Sequence, residues 1–292
     1  MPTARLAPGV ALVTVPGQGL AIRTPDGEFL RVDTGGAAED ALVDRLTAGP
    51  ATGESDPELD RLATAFEDAG YLIRSPDGPR RPLAGRTVLL LGDPVLTEPL
   101  AHCVRAEGGE VRSVEPGEIS AAAAQDTSTA VQDPSAAFVW CLDSPVPQGL
   151  WDEGDRLPAR GTGWLRCHRE GAQAWLEPLA AAPGDVTSAH VRLRRLAATP
   201  AYRELAAYWA GSRTDDTGPR HTAASAALTA ALLTADLIAW ATGAEAATAG
   251  AATGVAGARR RLRRIDLRHL TVTEHPVLPV PDVAPLPGNP GR

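Results

Sequence analysis

Thr87-Val88-Leu89-Leu90-Leu91-Gly92-Asp93-Pro94 is the stretch whose reading decides the fold. A continuous uncharged run closed by a Gly-Asp-Pro turn suits a strand covered on both faces, as in a parallel sheet flanked by helices. The turn leads into helical spacing over 97–107. Glu110-Val111-Arg112-Ser113-Val114 and Ala137-Phe138-Val139-Trp140-Cys141-Leu142 then supply two further strands. A strand–helix–strand unit with parallel strands is the economical arrangement. Between them, 116–136 is rich in Ala, Ser, Thr, Gln and Asp and reads as a weakly specified helix and loop.

Downstream, 164–168 and 172–176 alternate like a hairpin across Arg169-Glu170-Gly171. Residues 187–210 read as helix interrupted at Thr199-Pro200. The segment 222–240 is an alanine- and leucine-rich helix, apolar nearly all round and so expected to be buried. Two strands are expected near 261–274, and a proline-rich tail over 276–292 is expected to wrap the surface or stay disordered.

Upstream the grammar changes. Residues 8–33 read as three short strands separated by Pro16-Gly17 and Pro25-Asp26-Gly27, an antiparallel meander. Ala38, Leu42, Val43 and Leu46 recur at helical spacing until Gly49-Pro50. A second helix opens at Ser55 or Asp56, with an acidic, proline-bearing first turn, and carries Leu59, Leu62, Ala63 and Phe66 on one stripe. Gly70 closes it before a short strand, 71–73. These elements predict an α+β, winged-helix-like module over 1–80, a linker over 75–82, and an α/β domain over 84–292.

The chain holds 292 residues, 43% hydrophobic and 22% charged, with a net charge of −8. No apolar run reads as long enough for a membrane span, and the start lacks a secretory signal pattern, so a cytoplasmic, non-membrane protein is expected. Cys103, Cys141 and Cys167 stand too far apart for a zinc knuckle or a redox pair. The sequence contains no lysine, which removes a phosphate-loop lysine, a Schiff-base lysine and a lysine base. Within 1–80, seven arginines face thirteen acidic residues, and the helix 57–69 carries Glu58, Asp60, Glu67 and Asp68 against Arg61 alone. A recognition helix of that sign repels phosphates, which argues against nucleic acid and against a winged-helix regulator.

The order of elements resembles the ThiF-like "ocin" proteins that work beside YcaO cyclodehydratases in azole-forming peptide biosynthesis, thiopeptide pathways included. The residues that carry the resemblance are 19–23, 28–32 and the helix 57–69 for a PqqD-like recognition element. For a domain similar to ThiF and the ubiquitin-activating enzymes, of Rossmann type, they are 87–93, 137–140, 175–179 and 275–279. The resemblance implies a leader-peptide-binding scaffold, not itself an enzyme, whose partners are a precursor leader peptide and a YcaO cyclodehydratase; it also admits a homodimer. Adenylating relatives carry a glycine-rich turn after the first strand; here only Gly92 remains, and Asp93 would repel phosphate. Metal-bearing relatives carry two cysteine pairs where this sequence has 187–191 and 281–285, without cysteine. Neither ATP nor zinc is therefore expected, and a residual adenylating enzyme is the alternative.

The expected site is the edge of the third strand, Glu28, Phe29, Leu30, Arg31, Val32 and Asp33, facing Leu59, Leu62 and Phe66 of the helix. An extended peptide would add a strand there through backbone bonds and lay side chains into the groove. Arg23, Arg31, Arg61 and Arg74 are the candidates for contacts with an acidic leader. The competing reading places Phe29, Leu59, Leu62 and Phe66 in the module's core. Elsewhere, Asp143 reads as a turn cap or a strand-end functional group, and the Cys167-His168 pair points to opposite faces and cannot act as a dyad. His190, His269 and His275 read as structural. Arg259-Arg260-Arg261-Leu262-Arg263-Arg264 reads as a solvated face first, then as an anion or partner contact.

Overall fold

The computed structural model describes residues 3–48, 56–75, 81–124, 135–211, 213–214, 218–243 and 257–281. The chain divides into two compact units, Met1–Arg80 and Arg81–Arg292. Most of the expected linker and the tail beyond 281 lie outside the described residues.

In the first unit, β2 (Ala11–Val15), β3 (Gly19–Arg23) and β4 (Phe29–Arg31) form an antiparallel sheet in the order β2-β3-β4. The two turn glycines expected to permit this, Gly17 and Gly27, take φ of 71° and 87°. Helix α1 (Glu39–Ala48) and helix α2 (Pro57–Asp68) follow. Asp56 caps α2: its carboxylate accepts the backbone N–H groups of Glu58 and Leu59 at 2.9 and 3.3 Å. The α2 stripe places Leu62 and Phe66 against Leu20, Ile22, Leu42, Leu46 and Leu72, with Leu59 partly buried beside them. A pairing absent from the sequence reading joins β1 (Thr3–Leu6) antiparallel to β5 (Leu72–Ser75).

The second unit is an α/β domain. Among the described residues its sheet has seven strands, in the order β12-β11-β10-β9-β8-β6-β7. They are β6 (Thr87–Gly92), β7 (Glu110–Ser113), β8 (Ala136–Leu142), β9 (Gly163–Glu170), β10 (Gln173–Leu176), β11 (Arg261–Asp266) and β12 (Thr271–Pro276). Strands β7, β6, β8 and β9 run parallel, while β9 through β12 pair antiparallel. The expected hairpin 164–176 exists, but its first strand is also the last parallel strand, bonded to β8 along its length.

Helix α3 (Pro94–Ala106) begins at Pro94, three residues before the expected start, because proline at the first helical position needs no N–H partner. One face of the sheet packs Leu90, Val139, Leu165 and Ile265 against α3 and α7 (Ala223–Thr242). Leu233 and Leu237 of α7 are fully buried, each contributing about 1.5–3 kcal/mol. The other face gathers Phe138, Trp140, Trp151 and Trp164 under α4 (Pro116–Ala124) and a 3₁₀ segment, Gly154–Arg160. Helices α5 (Ser188–Ala197) and α6 (Tyr202–Ala210) break at Thr199-Pro200 as expected.

The expectation that no segment matches a membrane span in length and apolarity is corrected by α7, whose mean hydropathy reaches 1.5. Half of that window is buried inside the domain, and Asp236 within it is ion-paired.

Candidate functional site

The sheet register of the first unit settles which atoms β4 offers outward. Val32 donates its N–H to Leu20 O at 2.9 Å, and Thr24 donates to Glu28 O at 2.8 Å, while Leu30 lies opposite Ile22. Bonded pairs alternate along an antiparallel ladder, so Glu28, Leu30 and Val32 spend their backbone groups on β3. Phe29, Arg31 and Asp33 turn theirs away. Among the described residues of this unit β4 is an end strand of its sheet, so those groups form a free edge there.

Beside that edge runs a groove of about 350 Å³. Leu30, Val32, Leu62, Phe66 and Tyr71 give it an apolar lining, and Arg31, Asp33 and Arg61 add charge. The structure thus brings together seven of the residues expected at the site: Leu30, Arg31, Val32, Asp33, Arg61, Leu62 and Phe66. Leu62 and Phe66 belong to the core as well as to the groove, at 5% and 6% exposure. Phe29 departs from the core reading, being 64% exposed, because alternation along β4 turns it away from α2. Leu30 faces α2 and is still 42% exposed, an apolar side chain left open at the groove.

Several expected contacts are already engaged or stand apart. Arg61 holds Glu58 at 2.5 Å, and that hydrogen bond, followed in weight by the opposing effect of desolvation, leaves the Glu58 carboxyl lowered. Arg31 donates to Gln18. Glu28 and Arg23 are exposed and do not line the groove, Leu59 sits in the core cluster, and the Arg74 side chain lies outside the described residues.

In the second unit the strand ends hold a closed charge cluster. Asp143 is neither an open functional group nor a simple cap: its carboxylate accepts Arg169 Nε at 2.7 Å, both side chains being almost fully buried. The Asp143 backbone N–H is taken by the Asp93 carboxylate at 2.6 Å. Gly92 has φ of 105°, and a Cβ there would meet Cys141 O at 1.8 Å, so the turn is packed against β8. His221 donates its backbone N–H to Asp143 and places Nδ1 3.2 Å from Ser225 Oγ; burial pushes its imidazole below the ordinary value.

Other buried polar groups act as pins. Arg166 bonds Glu177 at 2.9 Å and the carbonyls of Trp164, Pro178 and Val186. Glu170 would be raised by burial, but hydrogen bonds with His168 and Arg195 outweigh this and hold its carboxyl well below the usual range. Cys141 lies opposite Cys167 in the β8–β9 register, and that contact together with burial pushes its thiol up, the signature of an unreactive cysteine. His190 completes a capping box with Thr187, a structural role.

Apart from the exposed Arg264, the arginine run is not a solvated face. Arg263, almost fully buried, pairs with Asp236 at 2.5 Å and with Glu274 at 2.8 Å, while Arg261 pairs with Asp236 and Arg259 with Asp185. At 187–191, Val191 packs with Val186, Leu262 and Val277, and the described residues contain no group of three metal-ligating side chains.

Three solved structures share this architecture. A heterocyclase in complex with substrate and cofactor matches with TM-score 0.63, at 13% identity, over 96% of this chain and 39% of its own. The heterocyclase TruD matches with TM-score 0.60, at 15% identity, over 94% and 41%. The chain has a heterocyclase-related fold. It spans about two fifths of the length of those two proteins. E. coli MccB matches with TM-score 0.55, at 10% identity, over 96% of this chain and 95% of its own. No protein-family model matches the sequence, and no curated protein matches it either.

Proposed function

We propose that the chain is a leader-peptide-binding scaffold of ribosomal-peptide azole biosynthesis. In this reading the first unit is a PqqD-like, winged-helix-like recognition element, and the second is a degenerate ThiF-like domain that docks a YcaO cyclodehydratase. The precursor adds a strand to β4 and seats alternate side chains in the groove, which raises the local concentration of its Cys, Ser or Thr residues at the partner's active site. The observation that carries the reading is the outward backbone of Phe29 and Arg31 beside an apolar groove.

The second unit is proposed to be non-catalytic and to take neither ATP nor zinc. A phosphate site at a strand–helix turn needs glycine and free N–H groups. Here Asp93 puts a carboxylate at the mouth of α3, Pro94 removes a donor, and the Asp143–Arg169 pair closes the adjacent strand end. Asp143, Arg169 and Arg166 then hold strands together instead of meeting a substrate.

The test is fluorescence anisotropy of the full chain with a labelled candidate precursor leader peptide. Leu30→Glu leaves the fold intact because the side chain is open. It should weaken binding by about tenfold or more, equivalent to ~1.4 kcal/mol. Unchanged affinity would remove the groove from the account.

A further inference from the structure

A second cavity lies wholly within the second unit. A cavity of about 530 Å³ opens between the α5–α6 pair and the antiparallel end of the sheet. Arg194, Arg195, Arg264 and His275 line it above an apolar base that includes Leu262 and Val277, and no carboxylate is among its lining residues. On a chain of net charge −8 this concentration of cations is anomalous.

The guanidinium groups are not equally committed. Arg195 is neutralised by Glu170 and lies 3.9 Å over the Trp175 ring. Among the described residues, Arg194 bonds the carbonyls of Leu278 and Pro279, at 3.2 and 3.1 Å, and no carboxylate. Arg264 is exposed and, among the described residues, has the ring of Trp175 as its neighbour and no carboxylate. Two cations with no carboxylate partner among the described residues, above an apolar base, suit a carboxylate carried on an apolar body.

Two further features narrow the ligand. Ala198 and Thr199, at the carbonyl end of α5, line the cavity; that negative helix end opposes any anion, and a doubly charged phosphate more than a single carboxylate. Strand β12, which carries His275 into the cavity, ends the sheet among the described residues and is exposed along its length. Val277 donates its N–H to Arg260 O, so alternation leaves the backbone groups of Val272 and Glu274 facing outward, ready for another peptide.

We infer that this cavity binds an acidic peptide segment, with its carboxylate between Arg194 and Arg264 and its backbone along β12. The inference does not depend on the β4 groove. Its test is anisotropy of the full chain with a rhodamine-labelled (Leu-Glu)₃ peptide and the matched (Leu-Gln)₃ peptide. The glutamine peptide should bind at least about tenfold more weakly, and Arg264→Glu should weaken the glutamate peptide by a similar factor, with Arg264→Lys in between. Leu30→Glu should leave this binding unchanged. Equal binding of the two peptides, or insensitivity to Arg264→Glu, would overturn the site. Loss on Leu30→Glu instead would assign the peptide to the β4 groove. Displacement by inorganic phosphate or N-acetylglutamate at concentrations as low as those of the unlabelled peptide would also overturn it, showing a small-anion site.

Discussion

Asp236→Ala isolates the energetics of the buried arginine run. The substitution strips Arg263, whose side chain is 4% exposed, of its 2.5 Å partner, and Arg261 of a 2.8 Å partner. Breaking a buried ion pair from one side costs about 3–5 kcal/mol, because the remaining charge stays desolvated. Glu274, 2.8 Å from Arg263 but 43% exposed, retains part of the compensation, so the low end near 3 kcal/mol applies. For a unit of this size each kcal/mol lowers the melting temperature by about 2–4 °C, giving an expected drop of about 6–12 °C. Differential scanning calorimetry of the full chain reads this directly. The double variant Asp236→Leu, Arg263→Met removes both charges and should recover most of the loss. A drop below about 2 °C in the single variant, or no recovery in the double, would refute the assignment of this pair as a buried, mutually dependent one.

Other outcomes follow from the same geometry. Gly92→Ala should destabilise the second unit by well over the ~1–2 kcal/mol of left-handed strain alone, since its Cβ would strike a backbone carbonyl; urea melts measure it. His221 is held neutral by burial, so stability should be complete above an unfolded pKa of about 6.5 and decline as pH falls below it, a slope that His221→Gln flattens. Glu170 has a depressed folded pKa, so its contribution is present above the unfolded value of about 4.3 and lost at lower pH, a second decline that Arg195→Gln should weaken. Magnesium-ATP titrated into the full chain should give no binding heat; micromolar affinity would show that the Asp93 turn accepts phosphates after all.

What the sequence made legible, and what it hid, divides along local and non-local physics. Strand β6 and the α2 stripe were readable because continuous apolar residues and a 3.6-residue period are local signals. The groove was readable for the same reason, as period 2 in β4 turns Leu30 and Val32 toward Leu62 and Phe66. Strand β9 was only half legible: 164–168 reads as one strand of a hairpin, yet Arg166 and Arg169 are buried against Glu177 and Asp143, partners that follow strands β10 and β8. The arginine run misled for the same reason, with Asp236 contributed by a helix some twenty-five residues earlier. Strand β1 gave no signal at all, being four residues long and paired with a segment near the other end of its unit. The cation-lined cavity could not be read either, because Trp175, Arg194, Arg264 and His275 meet only after the sheet has formed. Its local traces were an arginine doublet in the last turn of α5 and Arg264 at the end of the arginine run.

The most direct measurement is amide hydrogen exchange of the full chain with and without a candidate precursor leader peptide. Slowed exchange at Phe29 and Arg31, whose N–H groups face outward, with little change at the already bonded Leu30 and Val32, is the predicted pattern. Protection confined to other segments, or none at β4 under saturating peptide, would contradict strand addition at this edge.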